Sequence, residues 1–290
     1  MNIKEASRWR IELAEEISKL YTCKIDVVMS VIGGSPSRGL SDAYSDIDLI
    51  IYWEKLDAEF IIQSPLKYRA GNPLLLMDHR EHGSMMELYK LDTLIVEVGH
   101  VSMESWSGMV DQVMNDYDIN PGLQKSLSGF LDSYVIYGKK PAEKWKNKIK
   151  QYPEELAKKL IQRNLGFIWR GCIEHQGLDR GEIVFFYDAI CQTVKRLMAL
   201  ISGINRRYYA LQEPRWIEYE LSRMPVKPEN MWNRVRNLFD MNAYEAVSEL
   251  YVLISETVHL VRREFPDLDY STFDKCSKIR IESTISKPQI

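Results

Sequence analysis

Apolar side chains return every three to four positions at the start of the chain, at Ala6, Trp9, Leu13, Ile17 and Leu20. That spacing predicts a helix over 3–21 with one packed face. The period then changes. "KIDVVMSVI" (24–32) is a β-branched run that stops at Gly33-Gly34, and "DIDLIIYW" (46–53) is almost continuously apolar apart from two acids. Both read as strands. Pro65, Gly71 and Pro73 mark loop and short irregular structure. "SMMELYKLDTLIVEVGHV" (84–101) reads as a hairpin turning near Leu91-Asp92, and "SMES" predicts a helix start near Ser102 with Glu104 in its first turn.

Beyond about residue 140 the strand signal ends. Segments 153–176, 181–203 and 229–265 carry long helical patterns, the middle one with a stripe of Ile183, Tyr187, Ile190, Val194, Leu197 and Ile201. The last pattern is long for a globular helix and is expected to break near Asp240-Met241-Asn242. The expectation is an α+β chain: a small mixed sheet with helices over 1–145, then a helical bundle over 146–290. The last twenty residues are polar and without a helical period, which suits a loosely held tail.

Composition narrows the function classes. The chain has 290 residues, 45% hydrophobic and 27% charged, with net charge −3. A core of that size needs no disulfide or structural metal. No basic excess or basic stripe suggests a nucleic-acid partner, and no apolar run approaches the length of a membrane span. Cys23, Cys172, Cys191 and Cys276 are scattered without metal-ligand spacing and read as free thiols of a reducing compartment. With a charged amphipathic N-terminus in place of a signal peptide, the expected location is cytoplasmic.

The two acids on the second strand are the chemical signal. Residues two apart in a strand share a face, so Asp46 and Asp48 stand side by side with Ile47 turned away. Two like charges so placed raise each other's proton affinity unless a cation lies between them. Hard carboxylate oxygens suit Mg²⁺, which uses one or two carboxylates together with substrate phosphates. Glu97, in "LIVEVGHV", completes a three-carboxylate set if its strand adjoins the Asp-Asp strand. Alternatively, acids on strands guard sheet edges against aggregation.

Just ahead of the acids, Gly33, Gly34 and Gly39 allow sharp turns and close approach of a ligand. Ser35, Ser37, exposed backbone N–H groups and Arg38 are a candidate phosphate cradle. It is not a P-loop, because Leu40 and Ser41 follow Gly39 and no Lys is present, and it lacks the GxGxxG spacing.

"GGSPSRGLSDAYSDIDL" (33–49) resembles the signature of the DNA polymerase β-like nucleotidyltransferase superfamily: a Gly-Ser pair, here Gly34-Ser35, then Asp-x-Asp on a strand, here Asp46-Ile47-Asp48. "YSDIDL" is similar to its antibiotic and small-substrate branch, and "VEVGHVSMESW" (96–106) to the segment carrying the third carboxylate, which falls on Glu97. Many members have Asp there. "GINRRYYALQEPRW" (203–216) is similar to the helical region of some bacterial members. The resemblance implies that Gly34, Ser35, Ser37 and Arg38 hold a nucleoside triphosphate, ATP by family habit. It implies two Mg²⁺ ions on Asp46, Asp48 and Glu97, and transfer of a nucleoside monophosphate to an acceptor hydroxyl with release of pyrophosphate.

The acceptor is expected between the halves, with Asp188 as general base. Asp188 shares a polar stripe with Gln192 and Lys195, so an ordinary solvated face is the alternative. Glu182 is a weaker candidate of the same kind. Asn205-Arg206-Arg207-Tyr208-Tyr209 read as cations favoured at a helix C-terminus, His100 as structural, His79 and His82 as loop residues, and Trp169, Trp216 and Trp232 as core. The acceptor is expected to be a small hydroxyl-bearing molecule, such as an aminoglycoside or lincosamide antibiotic. Alternatives are a protein side chain, as in toxin–antitoxin members, or a nucleotide-binding regulatory module without turnover. Oligomeric state is not legible.

Overall fold

The computed structural model describes residues 5–210 and 215–279. The fold is α+β, in two compact units. One comprises the chain up to Asp118 together with Lys125–Gln151; the other comprises Ile119–Gln124 and the chain from Tyr152 onwards.

The first unit is built on a six-stranded mixed sheet of order β3-β4-β5-β2-β1-β6. Its strands are β1 Val27–Ile32, β2 Ile47–Trp53, β3 Leu75–His79, β4 Ser84–Leu91, β5 Leu94–Ser102 and β6 Tyr134–Tyr137. Only β2 and β5 run parallel. The helices of this part of the chain are α1 Glu5–Thr22, α2 Gly34–Arg38, α3 Ala58–Gln63, α4 Lys67–Ala70, α5 Met103–Met114, α6 Pro121–Asp132 and α7 Lys139–Ile149. Ser102 caps α5 as its sequence suggests, accepting from Ser105 N–H at 3.1 Å.

The alternation along β2 sorts the unit into layers. Ile47, Leu49, Ile51 and Trp53 turn to one face and pack with Ile11, Ala14, Ile17 and Tyr21 of α1. Truncating any of the three aliphatic side chains to Ala would cost about 2–5 kcal/mol. On the opposite face, Tyr52 meets Trp106 of α5 and Phe130 of α6 at ring-centroid distances of 5.3 and 5.7 Å. Asp48 belongs to this second face.

A polar cluster lies buried within the α1 face. Glu87 accepts from Tyr21 Oη (2.7 Å), Tyr89 Oη (3.0 Å) and His100 Nε2 (3.1 Å). Trp53 Nε1 donates to His100 Nδ1 at 3.1 Å, which places the ring proton on Nε2. His100 is therefore structural, as its sequence context suggests, and burial holds it below its ordinary pKa although Glu87 opposes that. Burial works against ionised Glu87, but hydrogen bonds from His100, Ser64 and Tyr21 bring its pKa below the usual value.

The second unit is helical: α8 Glu154–Asn164, α9 Ile183–Ile204, α10 Ile217–Ser222, α11 Met231–Asn237, α12 Ala243–Glu264 and α13 Ser271–Cys276. α8 and α9 pack so closely that a Cβ on Gly203 would press on Ile161.

Several sequence expectations need correction. The Gly-Ser stretch is the short helix α2 rather than a flexible turn, and α3, β3 and β6 carried no recognised signal. The pattern over 153–176 is not one helix. α8 stops before Gly166, and a π-helical turn, Cys172–Gly177, follows an irregular stretch. Ile183 and Tyr187 are exposed because the first turns of α9 bury Phe186, Ala189 and Ile190 instead. Trp9, Trp169 and Trp216 are exposed as well; Trp232 packs against the core. His79 ends β3 rather than lying in a loop. The long final pattern does break, between α11 and α12. Residues 211–214 of "GINRRYYALQEPRW" and 280–290 of the polar tail lie outside the described residues.

Candidate active site

The parallel pairing of β2 with β5 sets Asp48 directly opposite Glu97. Directly paired residues on adjacent strands share a face, so the adjacency the three-carboxylate reading required is present. Asp46 lies one residue ahead of β2 and is exposed, as is Glu97; Asp48 is half-buried.

The β1–β2 connection folds back onto these acids. Gly33 N–H donates to the Asp48 carbonyl at 2.9 Å. Gly34 takes φ +63°, and a Cβ there would overlap Asp48 Oδ2. Glycine at 34 is thus required twice, by its left-handed backbone and by the carboxylate against it. Gly39 ends α2 in the left-handed region, φ 71°.

The proposed cradle side chains already have partners. Ser35 Oγ lies 3.3 Å from Ser41 Oγ, Ser37 Oγ donates to Gly34 O (3.1 Å), and Arg38 Nε pairs with Asp132 Oδ2 at 3.4 Å. Asp132 is the last residue of α6 and anchors Arg38 beside the acids.

Charge is concentrated here. Burial, then the nearby charges of Asp46 and Glu97, push Asp48 up to about 6, against Lys125 and Arg38. Glu97 is raised by burial and by Asp46, with Lys125 opposing. Lys125, on α6, is the site cation that sequence reading missed. Its α6 neighbour Phe130 packs on Tyr52, which fixes the helix over the acid-bearing face, but a lone exposed Lys has no marker in the sequence.

These acids fit a divalent cation. Their oxygens are hard donors, and the repulsion that raises Asp48 is what a cation relieves. Among the described residues no group of three or more His, Cys, Asp or Glu forms a ready metal cage. A cation here would therefore take carboxylates and substrate phosphates together, the usual habit of Mg²⁺.

Asp188 belongs to the helical unit, exposed on α9, where it accepts from Gln192 Nε2 at 3.3 Å. That is the i,i+4 contact of an ordinary polar face. Glu182 directly precedes α9 and is exposed too. Among the described residues no helix is long and apolar enough to cross a membrane.

A family described as "Domain of unknown function (DUF4037)" matches residues 123–217. No curated protein is significantly similar in sequence. Among solved structures, the chain is similar to a nucleotidyltransferase-like protein from Exiguobacterium sibiricum 255-15. The identity is 13%, over 88% of this chain and 75% of that one, with a TM-score of 0.39. No residue role is taken from so loose a likeness.

Proposed function

We propose that the protein is a Mg²⁺-dependent nucleotidyltransferase that moves a nucleoside monophosphate, AMP from ATP, onto a hydroxyl of a small acceptor. One observation carries the reading: Asp48 and Glu97 pair in register while the Gly34 backbone closes directly on the Asp48 carboxylate. Hard oxygen donors and a backbone turn that requires glycine meet at Asp48.

Asp46 and Asp48 would hold the cation together with the donor phosphates, and Glu97 would join them on the acceptor side. Bound Mg²⁺ supplies charge neutralisation at the phosphates and eases loss of the acceptor's proton. The chain does the rest. Asp48 is ionised, and so able to ligate, above about pH 6. Gly34 keeps side-chain atoms out of the space beside that carboxylate. Arg38, anchored by Asp132, and Lys125 offset the negative charge that acids and triphosphate bring together.

The test is transfer of label from ATP labelled in its α-phosphate to a panel of hydroxyl compounds, with and without Mg²⁺. Asp46→Asn and Asp48→Asn should abolish transfer while far-UV circular dichroism stays unchanged. Full activity in both variants would remove the metal-site argument.

A further inference from the structure

The sheet registers place more than the acids on one face. Leu75, Leu88, Glu97 and Asp48 are successive direct partners across β3, β4, β5 and β2. The next row on the same face is Met77, Met86, Gly99 and Ile50. The acid-bearing face therefore continues outward as an apolar platform made by Leu75, Met77, Met86 and Leu88.

That platform is open. β3 is an edge strand exposed along its whole length, with Leu75 46% and Met77 39% accessible, while Met86 and Leu88 are half-buried. Sheet edges are normally blunted by charges, Pro, bulges or a covering element, and β3 places its one acid, Asp78, on the face opposite Leu75 and Met77. Gly99 forms a step between the methionines and the acids. A Cβ there would make only ordinary contacts, 3.9 Å to Ile50 Cγ1 and to Leu49 O. Packing does not demand a glycine, and the half-buried Gly99 leaves room for a side chain beside Glu97.

We infer that this platform is the acceptor subsite, and that the acceptor carries an aromatic or hydrocarbon face with its hydroxyl directed at Glu97. The inference rests on the transferase reading above. Strands lie about 4.8 Å apart, so a molecule seated on Leu88 and Met86 reaches Glu97 within one strand spacing. The platform has no carboxylate of its own, and Lys90, two residues beyond Leu88 on the same face, is exposed at its rim. Two thioethers make an adaptable apolar surface, suited to a family of related apolar bodies.

The test uses the full chain labelled at the methionine ε-methyl groups, titrated with 2-(2-naphthyl)ethanol and, separately, with glucosamine. Met77→Leu and Met86→Leu assign the signals. The naphthyl alcohol should shift both signals saturably and glucosamine should not. Gly99→Val, which fills the step, and Met77→Asp should each weaken naphthyl alcohol binding about tenfold or more, with thermal midpoints essentially unchanged. Three results would overturn the inference: no shift with the naphthyl alcohol, an equal response to glucosamine, or binding untouched by both variants. A concentration-dependent dimer lost in Met77→Asp, without probe binding, would also overturn it by assigning the platform to a second copy. Probe binding does not depend on turnover. Saturable binding in a protein that transfers no label would therefore sink the transferase reading while the apolar subsite stands.

Discussion

Replacing Asp48 with Asn should make the metal-free protein more stable at neutral pH while removing its activity. In the folded chain Asp48 is pushed from 3.8 up to about 6 by burial and by the charges of Asp46 and Glu97. Between these values the folded state holds a proton that the unfolded state lacks, so stability rises as pH falls through that window. Above pH 6 the folded protein carries an unfavourable ionised carboxylate. The rise from 3.8 to about 6 corresponds to a ceiling of about 3 kcal/mol. Residual solvent contact and side-chain relaxation reduce the expected gain for Asp48→Asn to about 1–2 kcal/mol. The assay is urea unfolding in chelator at pH 7.5 and pH 4.5, comparing wild type with the variant. The gap should be largest at pH 7.5 and fall to about a third of that at pH 4.5, closing only below the unfolded value of 3.8. Sheet-wide effects such as those of Glu87 and His100 are common to both proteins and cancel. A variant no more stable than wild type at pH 7.5, or a gap independent of pH, would refute the reasoning.

Three other outcomes are expected. Glu97→Gln should lower transfer by about tenfold or more, as loss of a charge acting at the reaction centre does; an unimpaired variant would mean a different third acid. Gly34→Ala should cost about 1–2 kcal/mol for its left-handed backbone. It should also displace the Asp48 carboxylate, so that nucleotide binding is lost in a protein that still folds; unchanged binding would contradict the close approach. Glu87→Ala should cost about 3–5 kcal/mol by stranding Tyr21, Tyr89 and His100 donors in the core. Both Glu87 and His100 are depressed in the fold. Their stabilisation is present above the unfolded values of 4.5 and 6.5 and declines as pH falls below them, the opposite sign to Asp48. An acid-unfolding curve for Glu87→Ala parallel to that of wild type would dispose of that account.

What the sequence disclosed follows from the range of the forces involved. β2 was legible because its apolar run and its acids are local, and α5 because a Ser cap is local. The pairing of Asp48 with Glu97 was only an expectation, since strand order is set by non-local packing. β3 went unseen because Pro73, Asp78 and neighbouring loop residues mask a five-residue run whose side chains are exposed on both faces, leaving no alternation to read. α2 looked like a turn because Gly, Ser and Pro discourage helices. In the structure the hydrogen bond from Gly33 to Asp48 and the left-handed Gly39 hold that short helix in place. Lys125 was invisible because its role comes from non-local packing, α6 lying over the acid face where Phe130 meets Tyr52.

The central claim is that the acids load a nucleotide through Mg²⁺. Thermal midpoints with each nucleoside triphosphate, with and without Mg²⁺, in wild type and Asp46→Asn, test it most directly, since a ligand bound only to the folded state raises the midpoint by mass action. A Mg²⁺-dependent rise with ATP that Asp46→Asn loses is expected. A rise independent of Mg²⁺, or one that survives in Asp46→Asn, would contradict it.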